Sequence, residues 1–318
     1  MSKAMTDVCD RRGFLGLGLG AGALVATSSL PAGADGAARP WPRMRMNLRF
    51  VTIDIGATQP FSILHISDTH LSDAYPDEDQ WKQRLKAIRT DGFGGRQEEA
   101  LAQSIEWAKD HCDYLLHTGD FIDWVSRKNL DLLKKYCGRD FMATLGNHEY
   151  SHYMGFHREA GCTYRNADTL EMLRKTCPFD VEFSARVVNG VNFVMMNDAM
   201  DGVTENQIRQ FWREVKRGLP IVLCLHVPLY TDGIWRASRL CHDAARPRDG
   251  LPPPKDDYLG QLREPTKGFI ADLRKEPLLR AILSGHEHIF AEDRFSPTAM
   301  QYMTAGNYGF CGQVVMFL

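Results

Sequence analysis

The chain has 318 residues, of which 44% are hydrophobic and 25% are charged, and its 40 acidic and 38 basic side chains leave a net charge of −2. An apolar fraction of this size can build a large core, which excludes a disordered or low-complexity chain and suits one large domain or two smaller ones. The near-zero charge excludes a broad basic face for duplex nucleic acid, so any phosphate chemistry must come from a local site.

The first 34 residues have the three-part pattern of an export signal. The parts are Arg11 and Arg12 followed by Gly13-Phe14-Leu15, a Gly- and Ala-rich apolar run to Leu30, and Ala32-Gly33-Ala34 as a cleavage signal. This pattern resembles a twin-arginine signal peptide, which implies export to the periplasm or outside the cell. We expect residues 35–47 to be a linker and the mature chain to have no transmembrane domain. An uncleaved signal that anchors the protein is the alternative.

Seven cysteines remain after the predicted signal peptide, and no two of them form a C-x-x-C pair. The sequence therefore predicts neither a zinc knuckle nor a complete disulfide framework. One or more disulfides in the exported protein remain an open alternative.

From residue 48 to residue 318, short apolar runs alternate with amphipathic segments, which predicts a single α/β domain. The runs that predict strands are 48–55, 61–67, 113–118, 141–145, 181–187, 191–196, 221–226, 279–284, 300–305 and 312–318. A helix is predicted at about 96–109. Another is predicted to begin at Thr204, which can form a capping box with Gln207 before an apolar face with helical spacing.

Five of the predicted strands end in Asp, Asn or His. The residues at these strand ends are Asp68 and His70, Asp120 and Asp123, Asn147 and His148, His226, and His286 and His288. Ligands bind at the carboxyl ends of strands in open α/β sheets, so these side chains could converge on one crevice. Carboxylates, imidazoles and one amide oxygen together suit a pair of divalent transition metal ions.

The same residues form five ordered motifs. The motifs are D-x-H at 68–70, G-D-x-x-D at 119–123, G-N-H-E at 146–149, the single His226, and G-H-x-H at 285–288. Their identity and order resemble the calcineurin-like metallophosphoesterases over residues from about 60 to 310. The resemblance implies a four-layer α/β sandwich of two mixed β-sheets flanked by helices.

The resemblance also implies a role for each residue. One metal ion would be bound by Asp68, His70, Asp120 and His288, and the other by Asp120, Asn147, His226 and His286. The two divalent ions, Mn, Fe or Zn, would share a hydroxide that attacks a phosphate ester. His148 would face the phosphate and protonate the leaving group, and Asp123 would orient His148 and keep it charged.

Other polar residues have simpler interpretations. His65 and His117 lie inside predicted strands and are expected to be hydrogen-bonded core residues. Glu149 and Glu287 are expected to orient backbone or ligand groups, because neither matches a ligand of the family. His152 is a candidate to line the pocket.

The implied function is metal-dependent hydrolysis of phosphate esters. The alternative is a non-catalytic protein of the same fold that acts as a partner-binding scaffold, but such proteins have generally lost ligands or the catalytic His, and this chain retains them. Asp123 stands where purple acid phosphatases have a Tyr ligand. Trp124 stands where protein Ser/Thr phosphatases have an Arg that grips phosphate. A Tyr-to-iron charge-transfer site is therefore not expected, and the second difference argues against protein phosphatase specificity.

Substrate selectivity is expected from the segments around the predicted centre, at 72–95, 150–165 and 227–265, of which the first and last look like loops. Their aromatic residues suit a nucleoside or an apolar leaving group: Tyr75, Trp81, Tyr150, Tyr153, Tyr230, Trp235 and Tyr258. They contain no dense Lys/Arg cluster, which argues against a nuclease. We expect a small phosphate ester, with a phosphodiester favoured over a phosphomonoester because a diester carries one negative charge.

Overall fold

The computed structural model describes residues 44–138, 141–199, 202–243, 261 and 263–318. The predicted signal peptide and residues 35–43 of the predicted linker lie outside the described residues. Among the helices within the described ranges, none combines the length and the apolar character that a membrane span requires.

Strands and helices alternate along the described residues. The strands are β1 (Asn47–Ile53), β2 (Phe61–Ile66), β3 (Tyr114–Thr118), β4 (Met142–Thr144), β5 (Phe183–Val188), β6 (Val191–Met196), β7 (Ile221–Cys224), β8 (Leu279–Ser284), β9 (Ala291–Arg294), β10 (Met300–Met303) and β11 (Cys311–Phe317). The helices are α1 (Gln80–Gly92), α2 (Gln97–His111), α3 (Arg127–Tyr136), α4 (Ala167–Thr176), α5 (Glu205–Val215), α6 (Asp232–Asp243) and α7 (Thr266–Leu273). Single 3₁₀ turns lie at His148–Tyr150 and Asn307–Gly309.

The strands form two mixed sheets, as predicted. The first sheet has the order β1-β11-β2-β3-β4, in which β11 and β2 are antiparallel and the other neighbours are parallel. The second has the order β5-β6-β7-β8-β10-β9, with antiparallel pairs only at its two edges. Edge strand β9 was not predicted, because three of its four residues, Glu292, Asp293 and Arg294, are charged, and the strand leaves no apolar run in the sequence.

Alternating side chains of the strands build a layered core. On β2, Ile63 points between the sheets and packs in one cluster with Phe193 and Leu283 of the second sheet. Leu64 points to the opposite face, where the cluster contains Leu101 of α2 and residues of α3. A third cluster joins the outer face of the second sheet to α5 and α7. The result is the predicted α/β sandwich, with helices outside both sheets.

The capping box predicted for α5 is confirmed. The Thr204 side chain accepts a hydrogen bond from the Gln207 backbone N–H, and the Gln207 side chain accepts one from the Thr204 N–H at 2.8 Å. The predicted helix at 96–109 corresponds to α2.

The two segments expected to be loops both contain a helix. Helix α1 lies within 72–95, where Leu85 is its one fully buried residue, and its few apolar residues stand among charged and polar ones, which is why the segment looked like a loop. Asp79 starts this helix by accepting hydrogen bonds from two backbone N–H groups. Helix α6 lies within 227–265 and buries Ile234 and Trp235. Residues 244–260 and 262 of this segment lie outside the described residues.

Candidate metal centre

The polar residues that follow five strands meet at one edge of the two sheets. Strands β2, β3 and β4 are parallel in the first sheet, and β7 and β8 are parallel in the second, so each set brings its carboxyl ends to one side. His70 and His288 are 218 positions apart in the sequence, and their Nε2 atoms are 3.1 Å apart. All nine predicted site residues lie in this cluster: Asp68, His70, Asp120, Asp123, Asn147, His148, His226, His286 and His288.

The first group within the cluster is Asp68, His70, Asp120 and His288, whose potential ligand atoms all lie within 4.8 Å of one another. We call it the first half-centre. His288 Nε2 lies 3.4 Å from Asp68 Oδ1, and His70 Nε2 lies 3.7 Å from Asp120 Oδ2. Burial and the nearby His148 lower the pKa of His70 to about 4, so its imidazole is neutral at pH 7.

The second group is Asp120, Asn147, His226 and His286, which we call the second half-centre. His226 Nε2 lies 3.3 Å from Asp120 Oδ2, 3.2 Å from Asn147 Oδ1 and 3.1 Å from His286 Nδ1. His226 Nδ1 lies 2.7 Å from the Thr118 carbonyl oxygen and donates to it, which directs Nε2 at the other three side chains.

Protonation differs between the histidines of the second half-centre. Burial lowers the pKa of His226, but the carboxylates of Asp120, Asp68 and Asp198 together outweigh burial and raise this pKa to about 10. Burial and the neighbouring His226 lower the pKa of His286 to about 4. In the absence of a bound cation, His226 therefore carries a proton at neutral pH while His286 does not.

The donor set fits two divalent transition ions. Each half-centre combines Asp120 with imidazole nitrogens, and a further carboxylate or amide oxygen completes it. Asp120 Oδ2 lies near His70 of the first half-centre and near His226 of the second, so this oxygen is placed to bridge two ions. A third group, His70 with Asp123 and His148, also has ligand atoms close together. There, His70 Nδ1 lies 2.9 Å from Asp123 Oδ1, and His148 Nδ1 lies 3.1 Å from the main-chain oxygen of Asp123 and 2.7 Å from Oδ1, so we interpret this group as N–H···O contacts.

His148 lies beside the two half-centres, with its side chain 15% exposed. Its Nδ1 lies 2.7 Å from Asp123 Oδ1, and its Nε2 lies 3.9 Å from Asp120 Oδ2. Burial lowers the pKa of His148, but Asp120 and Asp123 outweigh burial and raise it above its ordinary value. The arrangement suits an imidazolium that gives a proton to a group arriving from the exposed side.

The turns that carry the ligands have unusual backbone conformations. Five ligand candidates without a glycine's freedom have positive φ angles between 51° and 73°: Asp68, His70, Asp120, His286 and His288. Each costs on the order of 1 kcal/mol and persists only where the surroundings enforce it. Hydrogen bonds between neighbouring turns do this, including Asp68 N–H to Gly119 O and His70 N–H to Asp120 O, both at 2.9 Å.

Glycine is required where these turns approach each other. A Cβ atom at Gly146 would lie 2.1 Å from Asp120 Oδ1, and one at Gly285 would lie 1.9 Å from Ser67 Oγ. Both contacts are too short for any other residue.

Glu149 has the predicted backbone-orienting role. Its buried carboxylate accepts hydrogen bonds from the N–H groups of Asp120 and Ile122, both at 3.1 Å, and of Gly146 at 2.8 Å. Burial and the Asp120 charge raise the pKa of Glu149 to about 7. Glu287 accepts a hydrogen bond from Ser238 Oγ of α6 at 2.6 Å, which ties that helix to the G-H-E-H turn.

Several residues that hold the ligands were missed in the sequence. The Asn147 amide donates to Tyr164 Oη at 2.8 Å, and Tyr308 Oη lies 3.3 Å from His288 Nδ1. The buried Asp198 Oδ1 accepts from the His226 N–H at 3.0 Å. No short-range spacing links any of these residues to its partner, so the sequence carried no signal for them.

Arg89 of α1 was also missed. Its Nη2 donates to Asp123 Oδ1 at 2.7 Å, and its Nε donates to Asp123 Oδ2. Burial alone would raise the pKa of Asp123, but Arg89 and His148 hold it well below its usual range. Asp123 is therefore ionised at neutral pH, and its negative charge favours the protonated form of His148.

The remaining histidine predictions divide. His65 and His117 are fully buried and hydrogen-bonded, with His65 Nε2 2.8 Å from Thr118 Oγ1 and His117 Nε2 2.9 Å from Thr69 Oγ1, which confirms them as core residues. His152 Nε2 lies 3.0 Å from Asp168 Oδ2, and its place beside a pocket stays a prediction.

The aromatic residues predicted to face a substrate differ in how far they are buried. Tyr150 is 2% exposed and Trp235 is 8% exposed, so neither offers a ring face to a ligand. Tyr258 lies outside the described residues. Tyr75, Trp81, Tyr153 and Tyr230 are half-buried.

The chain matches one protein-family model and resembles several solved structures. A family model described as calcineurin-like phosphoesterase matches residues 61–290. A search of curated protein sequences found no significant match. Solved structures that resemble the chain include a dimetal phosphatase from Danio rerio, with 13% identity, a TM-score of 0.44 and coverage of 78% of this chain and 88% of that chain.

Two further structural matches have lower TM-scores. A 5′-nucleotidase from Candida albicans has 12% identity and a TM-score of 0.39, with 83% of this chain and 48% of that chain covered. The calcineurin-like phosphoesterase YfkN from Bacillus subtilis has 12% identity and a TM-score of 0.37, with 78% and 82% covered.

Proposed function

Because the chain belongs to the calcineurin-like phosphoesterase family, we propose that it hydrolyses phosphate esters with the help of two divalent metal ions. The observation that carries the proposal is the pair of half-centres that share Asp120, with His148 at their partly exposed side. Each of the family's motif residues is retained, which a non-catalytic scaffold would not need.

The proposed reaction assigns a task to each group. Asp68, His70, Asp120 and His288 would hold one ion, and Asp120, Asn147, His226 and His286 the other. When bound, the ions supply an acidified water as nucleophile and neutralise phosphate charge. His148 directs Nε2 into the site and can protonate the oxygen of the leaving group. The Nδ1–H of His148 donates to the main-chain oxygen of Asp123 at 3.1 Å, which fixes the ring, and the Asp123 carboxylate, 2.7 Å from Nδ1, stabilises its charged form.

The test is hydrolysis by protein stripped of metal with a chelator and then reloaded with Mn²⁺, Fe²⁺ or Zn²⁺. We expect a reloaded protein with about two ions per chain to hydrolyse p-nitrophenyl esters of phosphate. The stripped protein should be inactive. A reloaded protein that holds less than one ion per chain and hydrolyses no ester would reject this function in favour of the scaffold.

For the substrate, the proposal is a small phosphodiester in preference to a phosphomonoester. A diester brings one negative charge, and the half-buried Tyr75, Trp81, Tyr153 and Tyr230 belong to segments expected to meet a leaving group. The test is kcat/KM for bis-p-nitrophenyl phosphate and p-nitrophenyl phosphate at one metal loading. A diester-to-monoester ratio well below one would reject the preference without rejecting the enzyme class.

For localisation, the proposal is export of the folded protein by the twin-arginine route. It rests on the signal-like pattern at 1–34. Replacing Arg11 and Arg12 together by Lys should leave the precursor in the cytoplasm, as measured by fractionation. Unchanged export of that double variant would reject the route.

A further inference from the structure

The last turn of α1 contacts the acid–base residues of the centre, although nothing in the five motifs assigns it a role. Arg89 and Phe93 are four residues apart and therefore lie on one face of the helix end. Arg89 binds both oxygens of Asp123, with Nη2 2.7 Å from Oδ1. Phe93 stacks on the His70 ring, with centroids 4.4 Å apart and planes at 11°. The Arg89 guanidinium in turn lies 4.9 Å from the centre of the Phe93 ring.

Asp123 is a junction between a metal ligand and the proposed acid. Its Oδ1 lies 2.9 Å from His70 Nδ1 and 2.7 Å from His148 Nδ1. His70 Nδ1–H donates to this oxygen, and His148 Nδ1–H donates to the main-chain oxygen of Asp123 at 3.1 Å, beside the carboxylate. Both Nε2 atoms can therefore face the centre, which is what the first half-centre and the acid require. The placement of Asp123 thus bears on two functional rings at once.

The orientation of the Asp123 carboxylate needs a second anchor. A carboxylate can rotate about its Cβ–Cγ bond, and two imidazoles beside one oxygen leave the other oxygen undetermined. The planar guanidinium of Arg89 meets both oxygens in a fork, and Asp123 itself is completely buried. The geometry of a fork fixes the carboxylate plane in a way that a single donor does not.

We propose that Arg89 is a positioning residue that locks the Asp123 carboxylate between His70 and His148, and thereby couples metal binding in the first half-centre to placement of the acid. The inference rests on the proposed function for its kinetic consequences, but its effect on metal binding is independent of catalysis. Arg89 acts through Asp123, and direct contact with the substrate phosphate is the competing role.

The test compares Arg89→Gln, Asp123→Asn and the double variant with the wild-type protein. One readout is calorimetric titration of the stripped protein with Mn²⁺ in the absence of substrate. We expect Arg89→Gln to weaken one of the two binding events by about tenfold and to leave the other unchanged. Loss of a residue that supports a metal ligand weakens metal binding by about 10–100-fold, and tenfold is the lower end of that range. Two unchanged binding events would overturn the proposal.

The second readout is kcat and KM for an aryl ester and an alkyl ester. Arg89→Gln should lower kcat by about tenfold or more for the alkyl ester, whose leaving group needs the proton, and less for the aryl ester. The double variant should be no slower than Asp123→Asn alone, because Arg89 acts through Asp123 and both substitutions disrupt the same interaction. Additive losses, or an equal loss for both esters with a raised KM, would show that Arg89 contacts the substrate directly.

Two further variants guard against loss of folding. Lys86→Gln is the matched control, since it removes another ion pair of α1, to Asp73 at 2.6 Å, three residues before Arg89. It should change neither readout. Arg89→Lys keeps the charge without the fork, so it should fall between the wild type and Arg89→Gln, and it serves alone if the Gln variant does not fold. A Lys variant equal to the wild type in both readouts would overturn the proposal.

The outcomes separate this inference from the proposed function. A wild-type protein that binds two ions but hydrolyses no ester would reject the function, and the Mn²⁺ titrations would still decide the role of Arg89. An active wild-type protein with additive variants would reject the role of Arg89 alone.

Discussion

The two half-centres use similar ligands but are supported by different parts of the molecule. In the first, Phe93 stacks on His70, whose Nδ1 lies 2.9 Å from Asp123 Oδ1, and Tyr308 Oη lies 3.3 Å from His288 Nδ1. In the second, a backbone carbonyl, a carboxylate and a tyrosine hydroxyl support the ligands. The Thr118 carbonyl and the Asp198 carboxylate accept hydrogen bonds from the ring and the backbone N–H of His226. The Tyr164 hydroxyl accepts a hydrogen bond from the Asn147 amide.

The difference extends to protonation. His70 of the first half-centre has its pKa lowered to about 4, mainly by burial, and is ready to bind a cation at neutral pH. His226 of the second half-centre has its pKa raised to about 10, because Asp120, Asp68 and Asp198 together outweigh the effect of burial, and it must first release a proton. One bridging carboxylate thus faces a neutral imidazole on one side and a charged one on the other. We expect the two sites to fill in order, the first half-centre before the second.

The largest effect should come from the residue that both half-centres share. Asp120→Asn removes the bridging charge, so both binding events should weaken, and activity should fall by more than the roughly 10–100-fold that follows loss of an outer partner of a ligand. Metal content and kcat/KM measure the two effects. Asp168→Asn, which changes an exposed ion pair with His152, is the matched control. If one ion still bound Asp120→Asn with wild-type affinity, Asp120 would serve a single half-centre.

The next effect separates the acid from both half-centres. His148→Ala should keep two ions and lose on the order of 10²–10⁴ in kcat for an alkyl ester, and much less for an aryl ester. The reason is that a poor leaving group depends on protonation while a good one does not. His152→Ala, four residues further along, should leave both rates unchanged. Equal losses for the two esters would contradict proton donation by His148.

The clustering of the candidate ligands could be predicted from the sequence because each pairs a short motif with a strand end. Asp68, His70, His286 and His288 lie two residues apart in pairs, and the strands before them are apolar runs that a period of two identifies. The two mixed sheets were predicted through the family resemblance that these motifs carry. Both kinds of inference depend on local spacing.

The supports of the half-centres could not be predicted in this way. Arg89 reaches Asp123 from a helix with one fully buried residue, and Tyr164 and Tyr308 reach their partners across 17 and 20 positions. Their placement depends on how whole elements pack, which no local spacing encodes. The sequence therefore predicted which residues meet, and the structure was needed to identify what holds them there.

A third prediction uses pH to compare the half-centres. Below its pKa of about 10, His226 retains a proton that a cation must displace, so affinity at the second half-centre should rise by about tenfold per pH unit from pH 6 to 8. His70, with its pKa of about 4, is already neutral over that range, so affinity at the first half-centre should change less. His286→Ala disrupts the second half-centre, so its Mn²⁺ titrations measure how the affinity of the first depends on pH. His288→Ala disrupts the first half-centre and measures the pH dependence of the second. Equal slopes would contradict the protonation difference.

The smallest effect should distinguish the supports themselves. Tyr308→Phe removes the hydroxyl that meets His288 Nδ1, and Tyr164→Phe removes the acceptor of the Asn147 amide. A neutral hydrogen bond is worth about 1 kcal/mol, so each change should weaken Mn²⁺ binding by about fivefold. The effect of Tyr308→Phe should be confined to the first half-centre and that of Tyr164→Phe to the second, because each hydroxyl touches a ligand of one half-centre.

The matched control for these two variants is Tyr153→Phe, whose hydroxyl donates to Asp79 Oδ2 at 2.8 Å instead of to a ligand. It should leave both Mn²⁺ affinities unchanged. Tyr164→Phe should also be the more damaging of the pair for catalysis. Without its acceptor, the Asn147 amide can turn and present its NH₂ group where the second half-centre needs an oxygen, whereas His288 keeps a nitrogen directed at Asp68 in either case. If each variant weakened both binding events equally, the half-centres would respond as one rigid unit, and their separate supports would have no separate function.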